Sequence, residues 1–361
     1  MNKNKVKFND QSQSRVSIAA STEEKLQFEK IIKLTPKEIY TILEDSIIGQ
    51  EEAKRTLSIA LNDHIKRSFC SESLSDSIPS NNVFIIGPSG SGKTELVRTL
   101  SRKIGLPFVD YDATRLSKAG YEGESISDIF QSLIYKSSGN VKLAEKAIVF
   151  IDELDKTSSM YDNKGVGTIQ VQNSLLKVLE GTDVKVTYKK ETLYINTRNI
   201  LFVAGGAFNN QNAFEKTSKS ALGLNKTKSQ GVEIEKHELS GLLISLGMDN
   251  QLIGRFSSIT RTHNLSREER IEYLENGNQT IIHKTKVKML LNGITRLDFT
   301  KEFINMIVDK SMDLQTGVRG IHSLVTQHTA DILFHTKTNT SKVTLLKEGF
   351  VIGTSKKLIK Y

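Results

Sequence analysis

The stretch VFIIGPSGSGKTELVRTLSRKI, residues 83–104, decides the fold of this chain. Its first four residues form an unbroken apolar run, which is typical of a strand buried in a parallel sheet. A glycine-rich loop follows at 87–92, and beyond it apolar residues recur at helical spacing up to Ile104. A buried strand, a tight loop and an amphipathic helix in this order predict the first unit of an α/β domain.

The loop and the first turn of the following helix match the pattern G-x-x-x-x-G-K-T. Glycines let backbone N–H groups approach phosphate oxygens without a Cβ clash, and the helix N-terminus adds positive potential. Lys93 is predicted to contact the β- and γ-phosphates, and the Thr94 hydroxyl to bind Mg²⁺. The predicted nucleotide-binding residues of this phosphate-binding loop, the P-loop, are Gly87, Pro88, Ser89, Gly90, Ser91, Gly92, Lys93 and Thr94.

A second apolar run, AIVFI at 147–151, ends in two acidic residues. Asp152 is predicted to hold Mg²⁺ through its water shell, and Glu153 to polarise the water that attacks the phosphate. Two carboxylates could also mark a solvated strand end, but a P-loop requires such acids nearby. Together the two motifs predict a site that hydrolyses ATP with Mg²⁺.

The remaining pattern predicts an α/β fold with a largely parallel sheet flanked by helices, followed by a smaller, mostly helical α+β lid domain. We expect a flexible tail at 1–33, where Asn, Lys, Ser and Gln dominate. The large ATPase domain is predicted at 34–262, with a third strand near 200–204 and an irregular, Ser- and Lys-rich insertion at 209–250. The lid domain is predicted at 263–361, where the sequence SREE begins a capping box.

Composition narrows the possible function classes. The 361 residues include 50 Lys and Arg against 41 Asp and Glu, a net charge of +9 that permits contact with nucleic acid but is weak support for it. The single Cys70 excludes a disulfide framework and a cysteine-ligated zinc module. The apolar runs are too short to cross a bilayer, and the N-terminus lacks the apolar core of a signal peptide. We therefore expect a cytoplasmic protein without membrane contact.

Eight segments, in order along the chain, resemble the ClpX family of AAA+ unfoldases, from about Leu34 to the C-terminus. These segments are IGQEEAK at 48–54, GPSGSGKT at 87–94, AGYEGE at 119–124, AIVFIDELDK at 147–156, LKVLEG at 176–181, ILFVAGGAF at 200–208, LIGR at 252–255 and TGVRG at 316–320. The P-loop alone occurs in many NTPases, whereas the ordered set is specific. The resemblance implies an AAA+ ATPase that assembles as a homo-hexamer.

The resemblance also assigns roles to single residues. Arg255 corresponds to the arginine finger, which reaches the nucleotide of the neighbouring subunit, and Arg319 to the sensor-2 arginine, which contacts the nucleotide of its own subunit. Both are counted as catalytic with Glu153 and Asp152, since a guanidinium can neutralise charge that develops on the γ-phosphate. Ile48 is implied to contact the nucleotide.

Two loops are implied to contact other proteins. Tyr121, between Gly120 and Gly123, corresponds to the aromatic pore loop that grips unfolded or tagged protein substrates, although Glu122 replaces the usual apolar residue. The tripeptide Leu222, Gly223 and Leu224 lies where the family carries the loop that docks on a ClpP-like peptidase. That tripeptide could instead anchor its loop on its own domain.

Several departures make this a divergent member, and alternatives stay open. The N-terminal zinc domain is not expected, the Arg-Lys-His loop for tag recognition is reduced to Lys189 and Lys190, and no polar sensor-1 residue can be placed near Gly205. The leading prediction is an unfoldase and translocase that delivers substrates to a peptidase. The alternatives are a remodelling chaperone without a protease, a nucleotide-gated scaffold, and an AAA+ ATPase acting on nucleic acid, for which no motif is recognisable.

Overall fold

The computed structural model describes residues 30–70, 78–116, 125–159, 166–208, 236–275, 281–314, 316–336, 340, 342–353 and 357–360. The predicted tail therefore lies outside the described residues up to residue 29. The strands are β1 Val83–Ile86, β2 Phe108–Asp112, β3 Ile148–Asp152, β4 Asp183–Tyr188, β5 Glu191–Asn196, β6 Leu201–Gly206, β7 Ser258–Arg261, β8 Leu297–Phe299, β9 Val343–Leu346, β10 Gly349–Ile352 and β11 Leu358–Lys360.

Twelve α-helices accompany these strands in the described ranges. They are α1 Pro36–Glu44, α2 Glu51–Phe69, α3 Lys93–Ile104, α4 Ile126–Lys136, α5 Val141–Ala144, α6 Val166–Glu180, α7 Lys236–Ser245, α8 Asn250–Gly254, α9 Arg267–Glu275, α10 Ile281–Leu291, α11 Lys301–Asp313 and α12 Val318–His335. None of these helices has the length and apolar character that a membrane span requires.

A five-stranded parallel sheet in the order β2-β3-β6-β1-β7 forms the centre of the region predicted to be the large ATPase domain. The three strands predicted from apolar runs are confirmed as β1, β3 and β6, and they occupy the middle of the sheet. All four residues of β1 are buried, because helices cover both faces. Unbroken apolar runs are what such doubly covered strands require.

Alternate residues of β1 face two different hydrophobic cores. Phe84 and Ile86 lie in the core beneath α4, α6 and α7, whereas Val83 and Ile85 pack with α1, α2 and α3. This second core also contains Ile31, which the sequence had assigned to the tail. The sheet thus separates the helix that follows the P-loop from the helices on the opposite face.

Part of the predicted irregular insertion is helical. Residues 209–235 lie outside the described residues, but α7 and α8 occupy most of the remainder. Leu239, Leu242, Leu243 and Leu246 are buried in the core beneath the sheet. The prediction of irregular structure was wrong there, because these leucines follow the i, i+3, i+4, i+7 spacing of a buried helical face.

The C-terminal region has its own hydrophobic core, which α9 to α12 build with a four-stranded sheet in the order β11-β10-β9-β8. The sequence also shows strand-like runs at 342–346 and 349–352, and these are confirmed as β9 and β10, which pair antiparallel. The predicted capping box opens α9, since the Glu269 backbone N–H donates to Ser266 Oγ and the Ser266 N–H donates to Glu269 Oε2. This mixture of helices and a small sheet is the α+β composition expected for residues after 263.

His64 on α2 predicts a specific dependence of stability on pH. Its ring is buried, with Nε2 2.9 Å from the Lys146 carbonyl oxygen, and burial lowers the pKa of His64 from 6.5 to about 4. Because the folded-state pKa lies below the unfolded one, the stabilisation is complete above pH 6.5 and is lost as the pH falls towards 4. The free energy of unfolding should fall by up to about 3 kcal/mol over that interval through this group alone.

Urea unfolding of wild type and His64→Gln between pH 4 and pH 7.5 checks this expectation. The variant should show a smaller loss of stability on acidification, whereas His283→Gln, at an exposed histidine, should follow wild type. Equal pH slopes for wild type and His64→Gln would contradict the assignment.

Candidate active site

The P-loop lies at the C-terminal edge of the parallel sheet, where β1 ends between β6 and β7. The Gly87 N–H donates to the Gly206 carbonyl at 3.1 Å, and the Thr262 N–H donates to the Ile86 carbonyl at 2.8 Å. Gly90 and Gly92 have φ values of 80° and 93°, which side-chain-bearing residues rarely adopt. The loop can therefore turn its backbone N–H groups towards a bound anion at the start of α3.

Lys93 lies within the P-loop rather than on the surface, with 7% of the residue exposed. Its Nζ donates to the carbonyl oxygens of Gly87 at 2.7 Å and Pro88 at 3.1 Å. Burial lowers the pKa of Lys93, and the carboxylates of Asp152 and Asp155 act in the opposite direction. A desolvated cation in a ring of backbone groups is suited to contact phosphate oxygens.

Thr94 and Asp152 bring hard oxygen donors together beside the loop. Thr94 Oγ1 donates to Asp152 Oδ2 at 2.8 Å, and Asp152 Oδ1 accepts the Glu153 N–H at 2.9 Å. Within the described part of the chain, no three His, Cys, Asp or Glu residues are grouped to hold a metal by themselves. One hydroxyl and one carboxylate fit Mg²⁺, which usually takes few protein ligands and completes its shell with phosphate oxygens and water.

Glu153 leaves the sheet in a left-handed conformation, with φ 55°, and its side chain is exposed. Partial burial, and after it the nearby carboxylates of Asp112, Asp152 and Asp155, raise the pKa of Glu153. Asp112 lies beside Asp152 because the two residues are register partners of β2 and β3. The sheet edge thus concentrates negative charge around a carboxylate that faces solvent next to the P-loop.

Gln50 connects the P-loop to the segment that follows β7 through hydrogen bonds, a role that the sequence did not reveal. Its Nε2 donates to the carbonyl oxygens of Ser91 at 3.2 Å and His263 at 2.7 Å, and its Oε1 accepts the His263 N–H at 3.0 Å. Ser91 Oγ also bonds to Thr262 Oγ1 at 2.8 Å. Ile48, two residues before Gln50, is half-buried at the same end of α2. The motif IGQ at 48–50 was the one signal in the sequence for these contacts behind the P-loop.

The end of β6 explains why no sensor-1 side chain could be placed. A Cβ atom on Gly205 would lie 2.8 Å from the Phe150 ring and 3.2 Å from Asp152 Oδ1, so the backbone approaches the acidic strand too closely for a side chain. Beyond it, the Ala207 N–H donates to Oδ1 of the buried Asp155 at 3.2 Å. The carboxylate of Asp155, in the segment after β3, therefore supplies the polar contact at the end of β6.

The C-terminal region reaches the P-loop through the segment 316–319. The Val318 N–H donates to the Gly90 carbonyl at 3.2 Å, and a Cβ atom on Gly317 would lie 2.6 Å from that same oxygen. Arg319 Nη1 donates to Ser89 Oγ at 3.3 Å. The structure therefore brings Arg319 to the P-loop of its own chain, as the resemblance implies for a sensor-2 arginine.

Arg255 lies at the C-terminal end of α8 and forms an ion pair with Glu180, at the end of α6. Both side chains are exposed, at 48% and 42%. The backbone is fixed, since Asn82 Nδ2 donates to the Arg255 carbonyl at 3.3 Å. An exposed guanidinium on an anchored backbone is available to a neighbouring molecule, because surface ion pairs cost little to exchange.

The predicted protein-contacting loops lie outside the described residues. These residues are Gly120, Tyr121 and Gly123 of the pore loop, with Glu122, and Leu222, Gly223 and Leu224 of the docking tripeptide. Their roles stay predictions.

Comparison with known proteins places the site in a family. The model of the AAA domain (Cdc48 subfamily) matches residues 78–259, about half of the chain. The ATP-dependent Clp protease ATP-binding subunit ClpX 2 of Wolinella succinogenes is 34% identical over 337 residues, which cover 90% of this chain and 83% of that protein. The corresponding ClpX subunits of Treponema denticola and Borrelia duttonii are 34% and 32% identical, over 82% and 74% of their own lengths.

Proposed function

Because this chain belongs to the ClpX family, the ATP-binding subunits of ATP-dependent Clp proteases, we propose that it forms a homo-hexameric ring that threads proteins into a ClpP-like peptidase. As a family member the chain is an ATPase with an unfoldase role in partnership with a protease. The observation that carries the proposal is the convergence at one sheet edge of Lys93, the Thr94–Asp152 pair, Glu153 and Arg319.

The P-loop residues supply binding and charge for the substrate ATP. The backbone N–H groups of Ser89, Gly90 and Gly92 and the Lys93 ammonium group would contact the phosphates, whereas the N–H groups of Gly87 and Ser91 donate to the carbonyl oxygens of Gly206 and Pro88. Thr94 and Asp152 would hold Mg²⁺, which when bound neutralises charge on the β- and γ-phosphates. We propose that residues 34–262 form the ATPase domain and residues 263–361 the lid that brings Arg319.

Glu153 is the general base of the proposed reaction. Water attacks the γ-phosphorus, the bond to the bridging oxygen of ADP breaks, and the proton of the water passes to the Glu153 carboxylate. Two groups meet the negative charge on the transferring phosphoryl group: Arg319 from the same chain and Arg255 from the next one. Opening and closing of the lid on the P-loop, through the Gly90–Gly317 contact, would convert this cycle into motion.

Tyr121 is proposed to transmit that motion to the substrate. A flat amphipathic side chain between glycines contacts many sequences through apolar surface and backbone.

Tyr121→Ala should retain the ATPase rate but abolish unfolding, because it removes the grip without touching the P-loop. Glu153→Gln should bind ATP without hydrolysing it and should therefore retain bound protein substrates. A suitable substrate for unfolding is a fluorescent protein fused to one of these retained proteins, and loss of fluorescence measures unfolding. The control Tyr194→Phe, at an exposed tyrosine of β5, should unfold it normally. Unfolding by Tyr121→Ala at the wild-type rate would remove this loop from the mechanism.

The tripeptide Leu222-Gly223-Leu224 is proposed to dock on the peptidase. Six such loops acting together would gain avidity, although each contact is small. Gly223→Asp should abolish co-sedimentation with a ClpP-type tetradecamer in ATP, because it places a charge within an apolar contact. Its ATPase rate should match wild type and serves as the control for folding. Equal co-sedimentation of the two proteins would retire the docking role and favour a remodelling chaperone.

A further inference from the structure

Tyr273 and His322 form a side-chain pair that none of the motifs predicted. Tyr273 lies on α9 and His322 on α12, and Tyr273 Oη is 2.6 Å from His322 Nε2. The two rings are stacked, with centroids 6.0 Å apart and an interplanar angle of 21°. Burial raises the pKa of Tyr273 to about 12 and lowers that of His322. Both rings are therefore neutral near pH 7, and the pair is an uncharged hydrogen bond within a packed contact.

The pair joins α9 to α12, and Glu95 of the P-loop helix acts electrostatically on both rings. Glu95, in the first turn of α3, is close enough to raise the pKa of Tyr273 and to oppose the lowering of the pKa of His322. The charge of Lys284 on α10 adds to burial in lowering the pKa of His322. His322 follows Arg319 by one turn of α12, so both side chains lie on the same side of that helix.

Helix α9 is itself tied to the P-loop. Its capping residue Glu269 bonds to His263 Nε2 at 3.1 Å, and the backbone of His263 is held by Gln50, whose amide also binds the Ser91 carbonyl. A continuous series of contacts thus runs from the P-loop to α9. The Tyr273–His322 bond extends it to α12.

Arg319 needs such support because the described residues hold its side chain only weakly. The residue is exposed, and its bond to Ser89 Oγ is 3.3 Å long. An exposed arginine keeps much of its rotamer freedom. The position of its guanidinium relative to the P-loop therefore depends on where the first turn of α12 is held. That turn is fixed at one end by the Val318–Gly90 bond and one turn later by His322.

We propose that Tyr273 and His322 are positioning residues that hold the first turns of α12 so that Arg319 reaches ATP bound in the P-loop. The inference rests on the proposed role of this P-loop as the ATP site. It adds that the α9–α12 contact, at a distance from the phosphates, sets nucleotide affinity through Arg319.

A mutant cycle on nucleotide binding tests the inference. Tyr273→Phe keeps the ring and removes the hydroxyl, and it should weaken binding of a fluorescent ATP analogue about three- to tenfold, the effect of one lost hydrogen bond that is partly buried. His322→Leu should have the same effect, and the double variant should be no weaker than either. In an Arg319→Ala background, Tyr273→Phe should cause no further loss, because the group it positions is gone. Tyr194→Phe is the matched control and should bind as wild type.

Two results would overturn the inference. Wild-type binding by Tyr273→Phe would show that the bond positions nothing, and an equal loss with and without Arg319 would show that it acts on folding alone. Thermal unfolding of each variant separates these cases. Steady-state phosphate release by wild type is measured in parallel and tests the proposed function separately: binding coupled to Arg319 without hydrolysis would support the positioning pair while contradicting the ATPase mechanism.

Discussion

Glu153→Gln is expected to lower kcat for ATP hydrolysis by about 10²- to 10⁴-fold, the range for loss of a general base. Nucleotide binding should be retained, because Gly87, Pro88, Lys93, Thr94 and Asp152 are unchanged. Glutamine has nearly the same shape as glutamate but cannot take the proton of the attacking water. It also removes the repulsion from neighbouring carboxylates, which acts with burial, the larger cause, to raise the pKa of Glu153, so the affinity for ATP should not fall.

Two measurements check this expectation, phosphate release at saturating ATP and equilibrium binding of a fluorescent ATP analogue. Glu191→Gln, at an exposed glutamate of the β4–β5 hairpin, is the matched control and should hydrolyse ATP at the wild-type rate. Hydrolysis by Glu153→Gln at that rate would refute the assignment of the base. A variant that binds but does not hydrolyse would also retain its protein substrates, which mass spectrometry can then identify.

The central sheet was predictable where its strands are buried on both faces. Apolar runs mark β1, β3 and β6, because their positions buried on both faces exclude polar residues, and Asp152 stands only at the less buried end of β3. The edge strands gave no such signal. Strand β2 alternates between buried and less buried residues and includes two aspartates, and β7 reads SITR. An edge strand is covered less completely, so its composition resembles that of a loop.

The residues with a proposed binding or catalytic role were predictable because each lies in a contiguous sequence motif. The P-loop and the acids after β3 are set by local backbone geometry, so their spacing along the chain reports their function. The supporting contacts are not local. Gln50 meets His263, and Gly90 meets Gly317, across most of the chain. The same holds for two side-chain pairs, Arg255 with Glu180 and Tyr273 with His322. Both pairs depend on tertiary packing, which no periodicity in the sequence reveals.

Arg255→Ala is expected to lower the ATPase rate about 10³-fold or more, as loss of an arginine finger does. The structure offers a matched control in Glu180, the ion-pair partner of Arg255. Glu180→Gln should retain activity if Arg255 leaves that pair to act on a neighbouring nucleotide. A purely structural ion pair would instead make the two variants equally defective, although an exposed pair contributes little stability.

Mixing two inactive variants tests whether Arg255 acts across a subunit boundary. In a mixed ring, an Arg255→Ala subunit keeps its own Glu153 and receives Arg255 from a Glu153→Gln neighbour, so that pocket is complete. Co-assembled variants should therefore regain a fraction of the wild-type ATPase rate that neither variant shows alone. If Arg255 acted within its own chain, every pocket of the mixture would still lack either Arg255 or Glu153, and no activity would return. An Arg255→Ala, Glu153→Gln double variant mixed with Glu153→Gln sets the baseline, because in that mixture every pocket lacks its base. Recovery above that baseline requires pockets built from two subunits, whereas its absence in co-assembled rings would contradict the proposed mechanism.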